Sequence, residues 1–170
     1  SLSLKANQLV LSGKHSVLSA LRNAKRRLFY LISTKDHYKV WEKNITDLGL
    51  SIEVKIKTKE QLDIINNFKP HQNVILIVEN LKRISLDDFL TKKQHIFKIP
   101  LRIIILDQVT DPQNVGAIIR SAYAFKMNAL ALSQTNSPIE SSSMSSASSG
   151  AIYKLKIIEL SNMSRVIKKL

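Results

Sequence analysis

A chain of 170 residues with 44% apolar residues is long enough for one domain or two small ones with a genuine core. The absence of cysteine excludes a disulfide scaffold and a thiolate metal site, and is compatible with a cytosolic setting. A net charge of +13 and a pI of 10.0 point to a polyanionic partner, while no apolar run is long enough to span a bilayer.

The charge is uneven along the chain. Residues 1–100 carry 18 Lys and Arg against 9 Asp and Glu, whereas residues 101–170 carry 8 against 4. Nucleic acid is therefore expected to meet mainly the first half. Ser16 to Arg27 reads as a helix with Val17, Leu18 and Leu21 inward and Arg22, Lys25, Arg26 and Arg27 outward. Leu28 to Ser33 has strand composition. Asp36 to Leu48 reads as a helix anchored by Val40, Trp41, Ile45 and Leu48 and stopped at Gly49. Ser51 to Ile56 alternates as a strand. Thr58 and Gln61 have capping-box spacing ahead of Leu62, Ile64, Ile65 and Phe68. Pro70 closes that helix, and Asn73 to Glu79 is an apolar strand. An αβαβαβ order predicts helices on a small sheet.

Residues 81–99 read as a connector, with Ser85-Leu86-Asp87-Asp88 capping a short turn. Leu101 to Leu106 is a β-branched apolar run suited to a parallel strand. Asp111-Pro112 then has the chemistry of a helix start, an N-cap acid followed by proline at the first helical position. Val115, Ile118, Ile119 and Ala122 form its apolar face. Gly116, Arg120 and Tyr123 share a neighbouring stripe. Polar groups thus stand where a buried strand gives way to a helix, the usual ligand crevice of an open α/β sheet. Glycine inside a helix costs about 1 kcal/mol relative to alanine, so something is expected to come close at Gly116. The plainer alternative is an ordinary βα unit with Arg120 as a solvated charge. Asn128 to Ser133 and Leu155 to Leu160 read as strands, with a loop at 134–138. Ser141 to Gly150, with seven serines, has by composition the look of a flexible linker. No His, Asp or Glu cluster has metal-ligand spacing.

The stretch DQVTDPQNVGAIIRSAYAF resembles the first signature motif of the SpoU (TrmH-like) family of RNA ribose 2′-O-methyltransferases. Asp107, Asp111, Pro112, Asn114, Gly116, Arg120, Ala122, Ala124 and Phe125 carry the match. Ser148-Ser149-Gly150-Ala151 is similar to a small-residue segment found later in that family, which implies a tightly packed small-residue helix over 141–150 in place of a linker. The family usually has glycine after Ala-Phe, where this chain has Lys126. In the first half, Ser12-Gly13-Lys14-His15-Ser16-Val17 resembles the opening of the RNA-recognition domain that precedes the catalytic domain in one branch. His71-Gln72 resembles its His-Gln-Gly, with Asn73 in place of the glycine.

The resemblance implies an α/β chain in two parts. A small ribosomal-protein-like α/β domain over 1–80 is followed, after the connector, by the first part of a SPOUT-type knotted methyltransferase domain over 100–170. It implies methyl transfer from S-adenosylmethionine to a ribose 2′-hydroxyl, with Arg120 and Asn114 as candidate catalytic residues at the hydroxyl. Gly116 would allow close approach of RNA. Lys14, His15, Arg22, Lys25, Arg26 and Arg27 are the candidate RNA-binding residues. The partner is expected to be RNA, ribosomal ahead of transfer, with no membrane, in a cytoplasmic homodimer. Segments resembling the family's other two motifs do not occur, so the cofactor pocket is expected beyond Leu170 and the chain reads as a fragment or truncated form. The alternative is a non-catalytic RNA-binding remnant of such an enzyme.

Overall fold

Val74–Glu79, six residues of which five are buried, is the strand around which the first half folds. A computed structural model describes residues 7–23, 26–93, 100–133 and 140–161, which fall into two units, Ser1–Leu81 and Lys82–Leu170. In the first unit the strands are β1 (Gln8–Ser12), β2 (Leu28–Ser33), β3 (Glu53–Ile56) and β4 (Val74–Glu79), in spatial order β1-β4-β2-β3. β4 runs antiparallel to β1 and β2, and β3 lies parallel to β2. Alternation sends Ile75 and Ile77 to one face, where they pack with Ile32 and Leu62. Val74, Leu76 and Val78 point the other way and are equally buried.

Among the described residues three α-helices complete this unit: α1 (Lys14–Leu21), α2 (Tyr38–Asp47) and α3 (Lys59–Ile65). α3 starts as its sequence dictates. The Gln61 amide donates to the Thr58 hydroxyl at 3.4 Å, and the Gln61 side chain accepts from the Thr58 amide at 3.1 Å. α2 ends in a Schellman motif, with Leu50 N–H donating to the Ile45 carbonyl at 3.0 Å and Gly49 to Thr46 at 2.9 Å. Gly49 has φ +65°, which is why glycine sits there.

The structure corrects several sequence expectations here. β1 adds a strand that the expected order lacked. α1 stops at Leu21 instead of running to Arg27, and Arg26 is buried against the end of β4. On α2 only Trp41 and Ile45, four residues apart, face the core; Val40 and Leu48 are exposed. Ten residues present a narrow apolar stripe, and Leu48 lies at the C-cap, past its last buried turn.

The second unit holds β5 (Ile84–Ser85), β6 (Ile103–Leu106), β7 (Ala129–Ser133) and β8 (Lys156–Leu160), all parallel in the order β5-β8-β7-β6. Its helices are α4 (Leu86–Lys93), α5 (Pro112–Ala124) and α6 (Ser142–Ala147). β7 is the buried strand, while β6 borders a single partner among the described residues and is only half-buried over Ile103–Ile105. The supposed connector is partly built structure. β5 adds an edge to β8, and Leu86 and Phe89 of α4 pack with Ala129, Ala131, Ile158 and Leu160. Leu86 and Phe89, three residues apart on one face, were enough to dock this helix. The expected 134–138 loop lies outside the described residues. Among the described residues no helix is long and apolar enough to cross a membrane, and no cluster could hold a metal ion.

Candidate functional site

The corner between β6 and α5 is built by local chemistry. The Asp111 carboxylate accepts from the Gln113 amide at 3.3 Å and the Asn114 amide at 3.1 Å, and Pro112 occupies the first helical position. Just before it Gln108, fully in the loop, has φ +55°. A non-glycine residue held left-handed at the end of a parallel strand is strained, and such strain collects at functional sites.

Arg120 is exposed on α5 and, among the described residues, has no hydrogen-bond or ion-pair partner. Asn114 is exposed too. Six residues separate them, which places them about 9 Å apart along the helix axis and about 120° apart around it. The helix therefore does not bring the two side chains together on one face. Arg120 has a different neighbour. Tyr123 lies one turn on, and the Lys154 ammonium sits 5.3 Å from the centre of its ring. Sequence reasoning placed Tyr123 on the Arg120 stripe but had no signal for Lys154, which the chain reaches only after α6.

Gly116 answers to a different demand from the one expected. It is buried against α6, where a Cβ would stand 2.6 Å from the Met144 carbonyl oxygen and 2.8 Å from the Ala147 Cβ. The close approach is that of a second helix, so the expectation of room for RNA at Gly116 is corrected. The serine-rich segment makes this contact possible by being small. Its buried hydroxyls are satisfied internally: Ser145 with the Tyr153 hydroxyl at 2.9 Å, and Ser148 donating to the Ser145 carbonyl at 2.9 Å. Gly150 ends the segment with φ +78°.

In the first unit the two segments that carried the resemblance meet. The Lys14 amide donates to the Gln72 side-chain oxygen at 2.8 Å, and the Gly13 amide to the Val74 carbonyl at 3.3 Å. His71 is buried. Its Nδ1 accepts from the Asn73 amide at 3.0 Å, which leaves Nε2–H to donate to Asp63 at 2.9 Å. His71 is thus a structural hub. Lys14, His15, Arg22 and Arg27 are exposed, Arg27 over the Phe29 ring at 5.0 Å. Arg26 is not available as expected: it is 8% exposed and its Nε donates to the Glu79 carbonyl. Lys25 lies outside the described residues.

The SpoU rRNA Methylase family model matches residues 101–170, and the RNA 2′-O ribose methyltransferase substrate binding model matches residues 10–83. The chain belongs to the SpoU family. Both places where this SpoU chain lacks the family's glycine, Asn73 (φ +60°) and Lys126 (φ +55°), are left-handed. Asparagine tolerates that conformation better than most residues, whereas lysine there costs about 1 kcal/mol.

Among SpoU relatives, the mitochondrial rRNA methyltransferase 1 of Schizosaccharomyces pombe is 28% identical over 94% of this chain and 60% of its own. The 23S rRNA (guanosine-2′-O-)-methyltransferase RlmB of Haemophilus influenzae is 31% identical over 93% and 64%. The chain therefore spans under two thirds of either. The fold matches the SpoU methyltransferase AviRb of Streptomyces viridochromogenes, solved with AdoMet, at a TM-score of 0.71 and 18% identity, over 96% of this chain and 59% of that one. An AdoMet-bound rRNA methyltransferase from Sinorhizobium meliloti matches at 0.62 and 20%, over 95% and 57%.

Among the described residues of the second unit, no buried polar side chain stands without a partner for a cofactor to satisfy. Here the one buried side-chain polar atom without a hydrogen bond among the described residues is Ser16 Oγ, in the first unit. In the second unit Ser145 and Ser148 bond internally, and Glu140 has a partner.

Proposed function

We propose that this chain supplies the RNA-handling part of an S-adenosylmethionine-dependent RNA ribose 2′-O-methyltransferase acting on ribosomal RNA, as a homodimer. The observation that supports it most is the order of parts: a substrate-binding match over 10–83 followed by the SpoU methylase match over 101–170. The charge fits this reading, since the protein carries 26 Lys and Arg against 13 Asp and Glu. In it, exposed cations of the first unit neutralise phosphates, and Arg120 orients the ribose hydroxyl or an adjoining phosphate. A guanidinium is a fixed fork of donors and hardly a base, so Arg120 positions and stabilises charge instead of taking the proton. A non-catalytic RNA-binding form is the second reading, to which the substrate-binding match over 10–83 applies equally.

The test reads affinity for structured RNA against salt. Neutralising phosphates releases counterions, so the logarithm of affinity falls linearly with that of salt concentration. Replacing Arg22 and Arg27 together by glutamate is expected to weaken binding and flatten that slope by about 2, roughly one per lost phosphate contact. Arg26 is left alone because it is part of the fold. An unchanged slope would return both arginines to the solvated surface.

Calorimetric titration tests the division between RNA handling and cofactor binding that both readings share. The 170-residue chain is expected to show no saturable S-adenosylmethionine binding while it binds RNA. Tight cofactor binding by this chain would overturn the division between RNA handling and cofactor binding.

A further inference from the structure

We infer that the loop between α3 and β4 carries a stacking platform for one unpaired RNA base, made by the ring of Phe68 and flanked by Lys69 and Lys14. This deepens the RNA-handling reading and rests on it.

Phe68 is 79% exposed, the most exposed of the large apolar side chains in the described chain. A lone exposed apolar residue needs no explanation by itself. This one, however, is held in place. Asn67 and Phe68 both have positive φ, +51° and +56°, a conformation an aromatic residue adopts only when its surroundings impose it. Those surroundings are visible. The side chain of buried Asn66 donates to the Lys69 carbonyl at 2.7 Å and to the Pro70 carbonyl at 3.3 Å, clasping the loop from within. The Phe68 amide donates back to the Asp63 carbonyl at 2.7 Å. A fixed backbone thus holds out a ring that packs on almost nothing.

Cationic residues border the loop that carries the ring. Lys69 is the next residue and is exposed. The Ser12 hydroxyl lies 3.4 Å from the Pro70 carbonyl, and the Lys14 amide is tied to Gln72, so the start of α1 borders the same loop. Phe68 stands two residues from Pro70, at most about 7 Å along the chain. Exposed Lys14 and His15 belong to this neighbourhood. Asp63 is the nearby acid, and it is engaged by His71.

Size decides the occupant. A phenylalanine ring offers about 150–250 Å², and exposed Ile64 on α3 adds little more, far below the roughly 1,200 Å² of a stable protein interface. One nucleobase matches it. Unpaired bases stack on aromatic rings in single-stranded RNA recognition, whereas paired bases are already stacked.

The experiment measures binding of the 170-residue chain to a labelled hairpin RNA with an unpaired loop, and to a blunt duplex with the same number of phosphates. Phe68→Ala is expected to weaken hairpin binding roughly 5- to 150-fold, the range for losing one stacked base, with duplex affinity and the salt slope unchanged. Phe68→Tyr should bind as the parent does. Phe68→Leu, apolar but without a π-face, should fail like alanine. Circular dichroism should show all three folded. Hairpin binding that survives Phe68→Ala or Phe68→Leu, or an equal loss on the duplex, overturns the platform alone. So does dissociation of a dimer by Phe68→Ala in sedimentation, which would assign the ring to a second copy. No salt-dependent RNA binding by the parent chain overturns the RNA-handling reading and this inference with it.

Discussion

Arg120→Ala is expected to lower methyl transfer by the protein carrying this chain roughly 10²- to 10³-fold, the usual cost of removing one well-placed donor from a reacting group. The loss should fall on kcat, with RNA affinity changing little, because one cation among many phosphate contacts contributes a small share of binding. The structure makes this variant informative. Arg120 is exposed and bonded to nothing in the described chain, so its removal should shift stability by no more than about 0.5 kcal/mol. A dead variant would thus be folded, with chemistry lost. Arg120→Lys keeps the charge but not the planar fork, and should restore only a minor part of the rate. Single-turnover assays on saturating RNA give the number. Turnover within a few-fold of the parent would make Arg120 a surface charge. Asn114 is a weaker candidate for the same group, since α5 turns it about 120° away from Arg120. Tyr123, one turn on and about 60° round the helix from Arg120, stands closer to it.

What was legible in the sequence follows a physical divide. Features set by neighbours along the chain came through: the Thr58 capping box, the Asp111-Pro112 helix start and the Gly49 stop all occur as their spacing requires. So did the reading of seven serines in ten residues as packed helix instead of linker, carried by the resemblance and not by composition. Features set by the partner across a contact did not come through. β1 reads as unremarkable polar and apolar residues and becomes a strand because β4 offers it an edge. Arg26 belongs to a basic run, yet a carbonyl at the end of β4 draws it inside. Charge runs show how much cation a segment holds but not which members the fold consumes. At the candidate site, Arg120 was identified by resemblance, its stripe neighbour Tyr123 by helical spacing, and Lys154 by neither.

Gly116 shows the same divide most sharply and yields the largest stability effect. Gly116→Ala is expected to destabilise the second unit by up to about 2 kcal/mol. Two terms oppose each other. Alanine is the better helix former by about 1 kcal/mol. Against that, its methyl would meet the Met144 carbonyl oxygen at 2.6 Å, the Met144 Cα at 3.2 Å and the Ala147 Cβ at 2.8 Å. These are backbone or backbone-bound atoms with no rotamer to retreat into, so α6 must move bodily, and forcing an extra group into a packed contact costs about 1–3 kcal/mol. Urea unfolding should show a lower midpoint at an unchanged slope. Gly116→Ser should be worse, since it adds a hydroxyl to the same crowded space. Combining Gly116→Ala with Ala147→Gly should recover part of the loss, because one of the obstructing atoms is gone while the Met144 carbonyl remains; the double-mutant cycle then gives a favourable coupling. A chain that keeps its unfolding midpoint but loses RNA affinity on Gly116→Ala would reverse this account and give the space above Gly116 back to the ligand.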